Sequence, residues 1–361
     1  MARRGFSQWG NDLHTGRRSY NIVGRRKGFF AVSLVIVALC ALVLGVRGFN
    51  FGIEFTGGSE FTVSGVSDTS QSIATEVVEE AGVTEIPRVS SLGSSSVRVQ
   101  TVPLEQAQID EVKAGLAEAY GVGADAVTVT TIGATWGKDV SSKTIQGLIV
   151  FVLLVTLVMT AYFRNWRMAA GAIIALFHDL ILTLGVYALV GWEVTPATMI
   201  GFLTILGYSI YDTVVVFDKV RENTDGILSQ RRATYAERAN LAVNQTLVRS
   251  INTSVVALLP VSSILFIGAF VLGAGTLRDI ALALFVGMAV GAYSSIYLAT
   301  PLEVTFRERE DAIKKHSATV LAGRAADGED GEAASSYAHT GQLAAGHHLG
   351  NAALPKKRKR K

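Results

Sequence analysis

The stretch GYSIYDTVVVFDKVREN, residues 207–223, follows the apolar run PATMIGFLTIL and reads as the end of a membrane-spanning helix, yet it carries a carboxylate, Asp212. About 20 apolar residues suffice to cross a bilayer. Runs of that kind recur along the chain, at 28–46, 144–162, 168–190, 196–217, 251–273 and 280–300. The composition agrees: of 361 residues 17% are charged and 49% apolar, and the mean hydropathy is +0.36. An ordinary soluble protein is excluded. The expected fold is an α-helical polytopic membrane protein with six transmembrane helices.

Basic residues alternate between loops. Arg3, Arg4, Arg17, Arg18, Arg25, Arg26 and Lys27 precede the first span, and Arg164 and Arg167 lie between the second and third. Lys219, Arg221, Arg231, Arg232, Arg238 and Arg249 follow the fourth, and Arg307, Arg309, Lys314 and Lys315 follow the sixth. The intervening short loops hold Glu193 and Arg278. By the positive-inside rule, both termini are cytoplasmic and residues 47–143 lie outside. The expected organisation is a cytoplasmic arm (1–27), a first span (28–46), an extracytoplasmic domain (47–143), spans two to six (144–306) and a cytoplasmic tail (307–361). The first span is too long for a signal-peptide core, and no small-residue cleavage site follows it. The single cysteine, Cys40, cannot form an intramolecular disulfide and reads as a buried apolar filler.

The external segment alternates like a strand over 59–63 and has helical spacing over 70–81. Strands are expected at 87–92 and 97–102, an amphipathic helix at 104–120 and a last strand at 126–132. The order β-α-β-β-α-β is that of a small α+β ferredoxin-like domain. It has no His and no Cys, and acids outnumber bases by about two to one, which suits a solvated surface or a docking module. No metal-ligand cluster and no nucleotide-binding loop is present, so no cofactor is expected. The tail beyond about residue 317 lacks apolar periodicity and is expected to be disordered. Its terminal PKKRKRK resembles a nuclear localisation signal in composition only, and suits a solvated tail or attraction to anionic lipid or RNA.

A charged side chain at the bilayer centre costs about 2.5–3.5 kcal/mol on insertion scales, so such residues face protein or water. Asp212 lies roughly 24 Å along the fourth span at 1.5 Å per residue. Thr204 and Tyr208 precede it by eight and four residues and are expected on its face, with Ser209 close by. Gly201 and Gly207 would admit a neighbouring helix. Asp212 is either a functional carboxylate in a hydrated stripe or a structural one held by a hydrogen bond. Asp218 is expected to snorkel or cap. His178 and Asp179, in FHDL, fall mid-span in the third helix; as sequence neighbours they are expected not to pair with each other. His178 is a proton-titratable candidate, or a satisfied core histidine. Arg249, in NQTLVRSINTS at the start of the fifth span, is either a positive-inside anchor or a counter-charge for Asp212. Gly287 and Gly291 form a GxxxG spacing for close helix packing. A carboxylate with a base in reach is the minimum for a proton relay.

Five segments together carry a resemblance. TPATMIGFLTILGYSIYDTVVVFDKVREN is similar to the fourth span of the SecD/SecF family of protein-export membrane subunits. FNFGIEFTGG resembles the family's exit from the first span, FHDL its third-span His-Asp pair, NQTLVRSINTS its entry to the fifth span, and LGAGTLRDIALALFVGMAVGAYSSIYLATPL its sixth. The likeness covers roughly 28–307. It implies half of a resistance-nodulation-division bundle, located in the bacterial cytoplasmic membrane. Its implied role is an accessory subunit of the Sec translocase that uses the proton motive force to drive late steps of preprotein export, not an enzyme. Implied partners are SecD as heterodimer partner, the SecY-E-G channel, YajC and YidC, the preprotein on the outer side and membrane lipids, with no specific nucleic acid. Asp212 falls on the family's proton-carrying Asp and Arg249 on its partner. Tyr211 stands where the family commonly has Asn, which is expected to change the hydrogen bonding around Asp212. Glu54 stands where it has Asp and, with Gly57 and Gly58, is expected to shape the junction of the first span and the external domain. Rival readings are a proton-coupled exporter of drugs or lipids and a passive scaffold of the translocase. An intramembrane aspartyl protease is disfavoured, because its second catalytic Asp, usually in GxGD, is absent.

Overall fold

The computed structural model describes residues 6–93, 95–269 and 275–326. Among them, six helices are long and apolar enough to cross a membrane. Helix α1 (Phe6–His14) precedes the first span, α2 (Arg26–Arg47). A short strand β1 (Asn50–Phe51) and one helical turn α3 (Ile53–Thr56) lead into the external unit. That unit comprises β2 (Gly58–Ser64), α4 (Gln71–Glu80), β3 (Arg88–Ser91), β4 (Ser96–Thr101), α5 (Gln106–Ala119) and β5 (Val127–Ile132). The sheet runs β3-β4-β2-β5 with every neighbouring pair antiparallel. Period-2 patterning sends Phe61, Val63, Val97 and Val99 to one face, where Ala74 and Val78 of α4 and Val112 and Leu116 of α5 bury them. The opposite face carries Glu60, Arg98 and Gln100, with Gln100 donating to Glu60 at 2.9 Å. Arg98 reaches Glu193 on the bundle at 3.1 Å, so the polar sheet face meets the loop between the third and fourth spans.

The remaining spans are α6 (Ala134–Phe163), α7 (Trp166–Val190), α8 (Pro196–Thr224) and α9 (Tyr235–Ser263), with α10 (Gly275–Ser294) and α11 (Thr300–Arg307) forming the sixth. Strand β6 (Glu193–Val194) pairs in parallel with β1 and ties the exit of span one to the loop between spans three and four. Thr195 caps α8 and Thr234 caps α9, each in a reciprocal capping box. Span five ends in a π-helical segment, Ile264–Ala269, a few residues past Pro260. A second π-helical turn, Ser295–Ala299, joins α10 to α11. There Pro301 has no N–H to offer the carbonyl four residues back.

Small residues bring the helices together. A Cβ at Gly201 would lie 2.7 Å from that of Ala283, and one at Gly287 would overlap the Ile205 side chain. Gly291 meets Ser209 in the same seam, so the GxxxG spacing is a packing motif between spans six and four. Gly207, expected to admit a neighbour, has open space beside it instead. A Cβ at Gly185 would overlap Cys40, so that half-buried thiol packs span one on span three.

Several boundaries differ from the sequence expectation. Span two was expected from residue 144, but its helix begins at Ala134. The polar turns ahead of the apolar run are helical because they pack on α3, where a Cβ at Gly137 would sit 2.6 Å from the Phe55 carbonyl oxygen. Helix α9 likewise starts sixteen residues before the expected 251, as a buried polar extension. Its Asn240 accepts from the backbone of Ile22 and Val23, and Asn244 from that of Tyr20, pinning the N-terminal arm to the bundle. The tail expected to be disordered from about 317 is helical through α12 (Asp311–Ala326). Ile313, His316 and Val320 recur on one side of it and are buried, and Arg324 pairs with Glu237. PKKRKRK lies outside the described residues.

Candidate functional site

Among the described residues, Asp279 and Glu303 are buried towards the two ends of span six, and two further carboxylates, Asp212 of α8 at 5% exposure and Asp179 of α7 at 0%, lie between those levels inside the bundle. Each of these latter two is held by hydroxyls from other spans. Ser250 of α9 donates to Asp212 Oδ1 at 2.9 Å, and Ser295 donates a short hydrogen bond to Oδ2. Ser209 of α8 and Ser294 of α10 both donate to Asp179 Oδ2, Ser294 at 2.7 Å. Ser294 and Ser295 are sequence neighbours, so the last residue of α10 serves one carboxylate and the first residue of the π-helical turn serves the other. π-Helical turns are frequent at functional sites. Here the turn sits where one span has to address two neighbours.

His178 Nδ1 lies 3.0 Å from Asp179 Oδ1, which corrects the expectation that the two do not pair. Their Cβ directions diverge by about 100° on a helix, but the imidazole is long enough to turn back on the carboxylate. Its Nε2 is buried and has no hydrogen-bond partner among the described residues. The ring stacks on Tyr293, whose hydroxyl is 3.4 Å from that of Ser33 in span one. The polar seam therefore runs through spans one, three, four, five and six.

The face of α8 turned inward is Thr198, Ser209, Asp212 and Thr213, set among Phe202, Ile205, Val216 and Phe217. The expected stripe of Thr204, Tyr208 and Asp212 is therefore corrected. Thr204 is exposed and donates to the Ile200 carbonyl, and Tyr208 is half-buried with no hydrogen bond among the described residues. Eight residues are a net rotation of about 80°, enough to carry Thr204 out of the wedge covered by spans three and six. Ser209, three residues before Asp212, stays inside it. Tyr211 is 56% exposed and does not touch the bonding of Asp212, contrary to expectation. Arg249 is exposed, and among the described residues it makes no ion pair with Asp212; its neighbour Ser250 takes the inward position. Asp218 accepts from Tyr162 at the exposed end of the helix.

Reading by charge overlooked Ser250, Ser294 and Ser295. The pair in AYSSIYLA was the available signal, a doubled hydroxyl amid apolar residues. Hydroxyls both donate and accept. The two carboxylates are thus held by adjacent serines of one span, Asp179 by Ser294 and Asp212 by Ser295.

At the external junction, Gly57 (φ 79°) and Gly58 (φ 149°) carry the backbone through left-handed territory, and a Cβ at Gly58 would strike the Thr101 carbonyl. Glu54, on the turn before them, leaves Oε2 buried without a partner. Burial, with Glu193 and Glu60 nearby, pushes its carboxyl above the usual carboxylate range.

A six-span bundle with a carboxylate seam at its centre and a small α+β unit between its first two spans defines a multi-pass membrane protein of a transport class. The chain belongs to the SecD/SecF family: residues 112–309 match the family described as protein export membrane protein SecD/SecF, C-terminal, and residues 42–65 match the SecD/SecF GG motif. It is 47% identical to the protein translocase subunit SecF of Streptomyces coelicolor over 92% of this chain and 88% of that one. It is 43% identical to that of Mycobacterium tuberculosis over 86% of this chain and 72% of the relative. The crystal structure of SecDF from Thermus thermophilus, described as a translocon-associated membrane protein, is similar with a TM-score of 0.73 and 32% identity. That likeness covers 81% of this chain and 39% of the larger one.

Proposed function

We propose that this protein is an accessory subunit of the Sec translocase and that, with SecD, it couples the proton motive force to late steps of preprotein export across the bacterial cytoplasmic membrane. The observation that carries the coupling is the burial of Asp212 between Ser250 and Ser295, on helices that pack against span four from two sides. An ionised Asp212 accepts from both serines. A protonated Asp212 has to donate at one oxygen, so one serine reverses from donor to acceptor, and the charge-assisted bonds to spans five and six become weaker neutral ones. A group whose protonation differs between two arrangements biases them when a proton arrives, and each charge crossing 100 mV releases about 2.3 kcal/mol.

Arg249 is one position from Ser250, about 100° round the helix. We place it as the counter-charge of a second state, in which α9 rotates and exchanges Ser250 for Arg249 beside Asp212. The face bearing Thr204, Tyr208, Tyr211 and Arg249, open in the isolated chain, faces SecD in this reading. A single-chain SecDF relative, one polypeptide in Thermus thermophilus of which this chain matches part, supports that partnership. The external unit is a ferredoxin-like docking module for the preprotein, both termini are cytoplasmic, and SecY-E-G, with YajC and YidC, are further partners. The reading assigns transport and no catalysis.

The test is Asp212→Asn, expressed with SecD in a strain lacking both. Export of a secreted protein is followed with and without an uncoupler. The expected result is normal accumulation and assembly with export at the level of the depleted strain. Uncoupler-sensitive export at the wild-type rate would remove Asp212 from the relay and favour the passive-scaffold reading.

A further inference from the structure

A groove of about 710 Å³ opens on the side of the bundle where the N-terminal arm crosses spans one, five and six. Its polar end is formed by Ser19, Asn21 and Arg25, beside Trp9 and Tyr20. Its apolar end is formed by Phe29, Leu247, Ile251 and Tyr297. The gradient runs along the helices of spans one and five. Phe29 lies one helical turn deeper than Arg25 in span one, and Ile251 one turn deeper than Leu247 in span five. Trp9 Nε1 donates to the Tyr20 hydroxyl at 3.1 Å, and the Arg18 guanidinium sits 5.5 Å over the Tyr20 ring. Paired aromatic rings of this kind mark the depth of the headgroups.

The charge at the polar end is uncommitted. Arg26 is taken by Glu308 at 2.6 Å, but Arg25 is exposed and makes no ion pair among the described residues. The depression beside the groove, lined by Gln8, Asp12, Arg17 and Arg18, adds two bases against one acid. Free guanidinium above, aromatic rings at the level of the interface and an apolar floor below match one ligand class: a phospholipid with an anionic headgroup. We infer that this groove is a specific site for an anionic phospholipid of the leaflet that faces the arm, with the phosphate against Arg25 and one acyl chain along Phe29, Ile251 and Tyr297. Because the arm forms one wall, the bound lipid also fixes the arm against span five.

The full chain, purified in detergent, is tested by native mass spectrometry with dioleoylphosphatidylglycerol, dioleoylphosphatidylcholine and glycerol 3-phosphate as probes. Phosphatidylglycerol is expected to be retained at least about fivefold over phosphatidylcholine, the scale of attraction of one basic side chain to an anionic surface. Arg25→Gln should remove about that factor. Ile251→Trp, which fills the floor and leaves the bases, should also lower retention. Lys138→Gln, a base on the opposite side of the membrane, should leave it unchanged and so excludes a general charge effect. Equal retention of the two lipids overturns the inference. So does retention unaffected by both groove variants, whose folding is checked by unchanged thermal melting. Displacement of the lipid by equimolar glycerol 3-phosphate would overturn it too, because the site would then be one for a free phosphate.

Discussion

Spans three, four and six differ from spans one, two and five in what surrounds them. Half of the residues in the most apolar stretch of each inner span are buried within the chain, against 6%, 6% and 11% in the outer ones. All six are apolar enough to cross a bilayer, so this difference does not follow from composition. The inner spans carry His178, Asp179, Ser209, Asp212, Asp279, Ser294, Ser295 and Glu303 among their buried polar groups, whereas the outer spans supply, among the described residues, only uncharged ones, Ser33 of span one and Asn240, Asn244, Thr246, Ser250 and Ser254 on one side of α9. A charge in lipid has no partner, and one in a bundle does. The buried charges of the membrane-spanning helices therefore belong to the three inner ones, while the outer helices reach the seam through uncharged groups and present Val, Leu and Ile on their other faces.

The sharpest way to break that comparison is to make matching polar changes in both sets. Asp179→Ala leaves His178, Ser209 and Ser294 without their shared acceptor, and should cost about 3 kcal/mol as buried groups go unsatisfied. Ser263→Ala at the exposed end of α9, where the hydroxyl returns to the Leu259 carbonyl, should be near neutral. Thermal unfolding in detergent compares the two, and equal effects would erase the distinction between inner and outer spans. Next in size is Gly287→Leu, which drives a side chain into Ile205 and should cost about 2 kcal/mol as overpacking. Gly147→Leu in span two, with open space beside it, should leave the melting temperature within a degree or two of wild type or raise it.

A smaller effect is expected from Ser295→Ala, about 0.6 kcal/mol by the average for interhelical hydrogen bonds in membranes. Export should nevertheless fall measurably, because Asp212 then keeps Ser250 alone. Unchanged export would confine the relay to spans four and five. The smallest effect concerns the junction rather than the bundle. Glu54 holds its proton more tightly when folded than when unfolded, since burial raises its carboxyl. The folded state thus binds more protons as this group titrates, and stability falls as pH rises from the ordinary carboxylate range up to the raised value. Glu54→Gln should remove that fall and stabilise the chain slightly at neutral pH, with no gain at acid pH. A variant that is less stable at neutral pH would show that the ionised carboxylate is held by a favourable contact.

The chain by itself was enough for the six apolar spans, for the order of strands and helices in the α+β unit and for picking out Asp212 and Asp179 as carboxylates that must be sheltered within the bundle. Hydropathy, period-2 alternation and the cost of burying charge are properties of neighbouring residues, so each can be read along the sequence. Tertiary structure decided which face of span four is the inner one, because an angular error of about 80° separates Thr204 from the seam and only packing shows where the wedge lies. It decided that Ser250 and not Arg249 meets Asp212, since that choice depends on the rotation of span five about its own axis. It also decided that Ser294 and Ser295 serve two different carboxylates through a π-helical turn. A hydroxyl carries no charge and is tolerated almost anywhere in a helix, so its sequence signal is weak until the groups facing it are known.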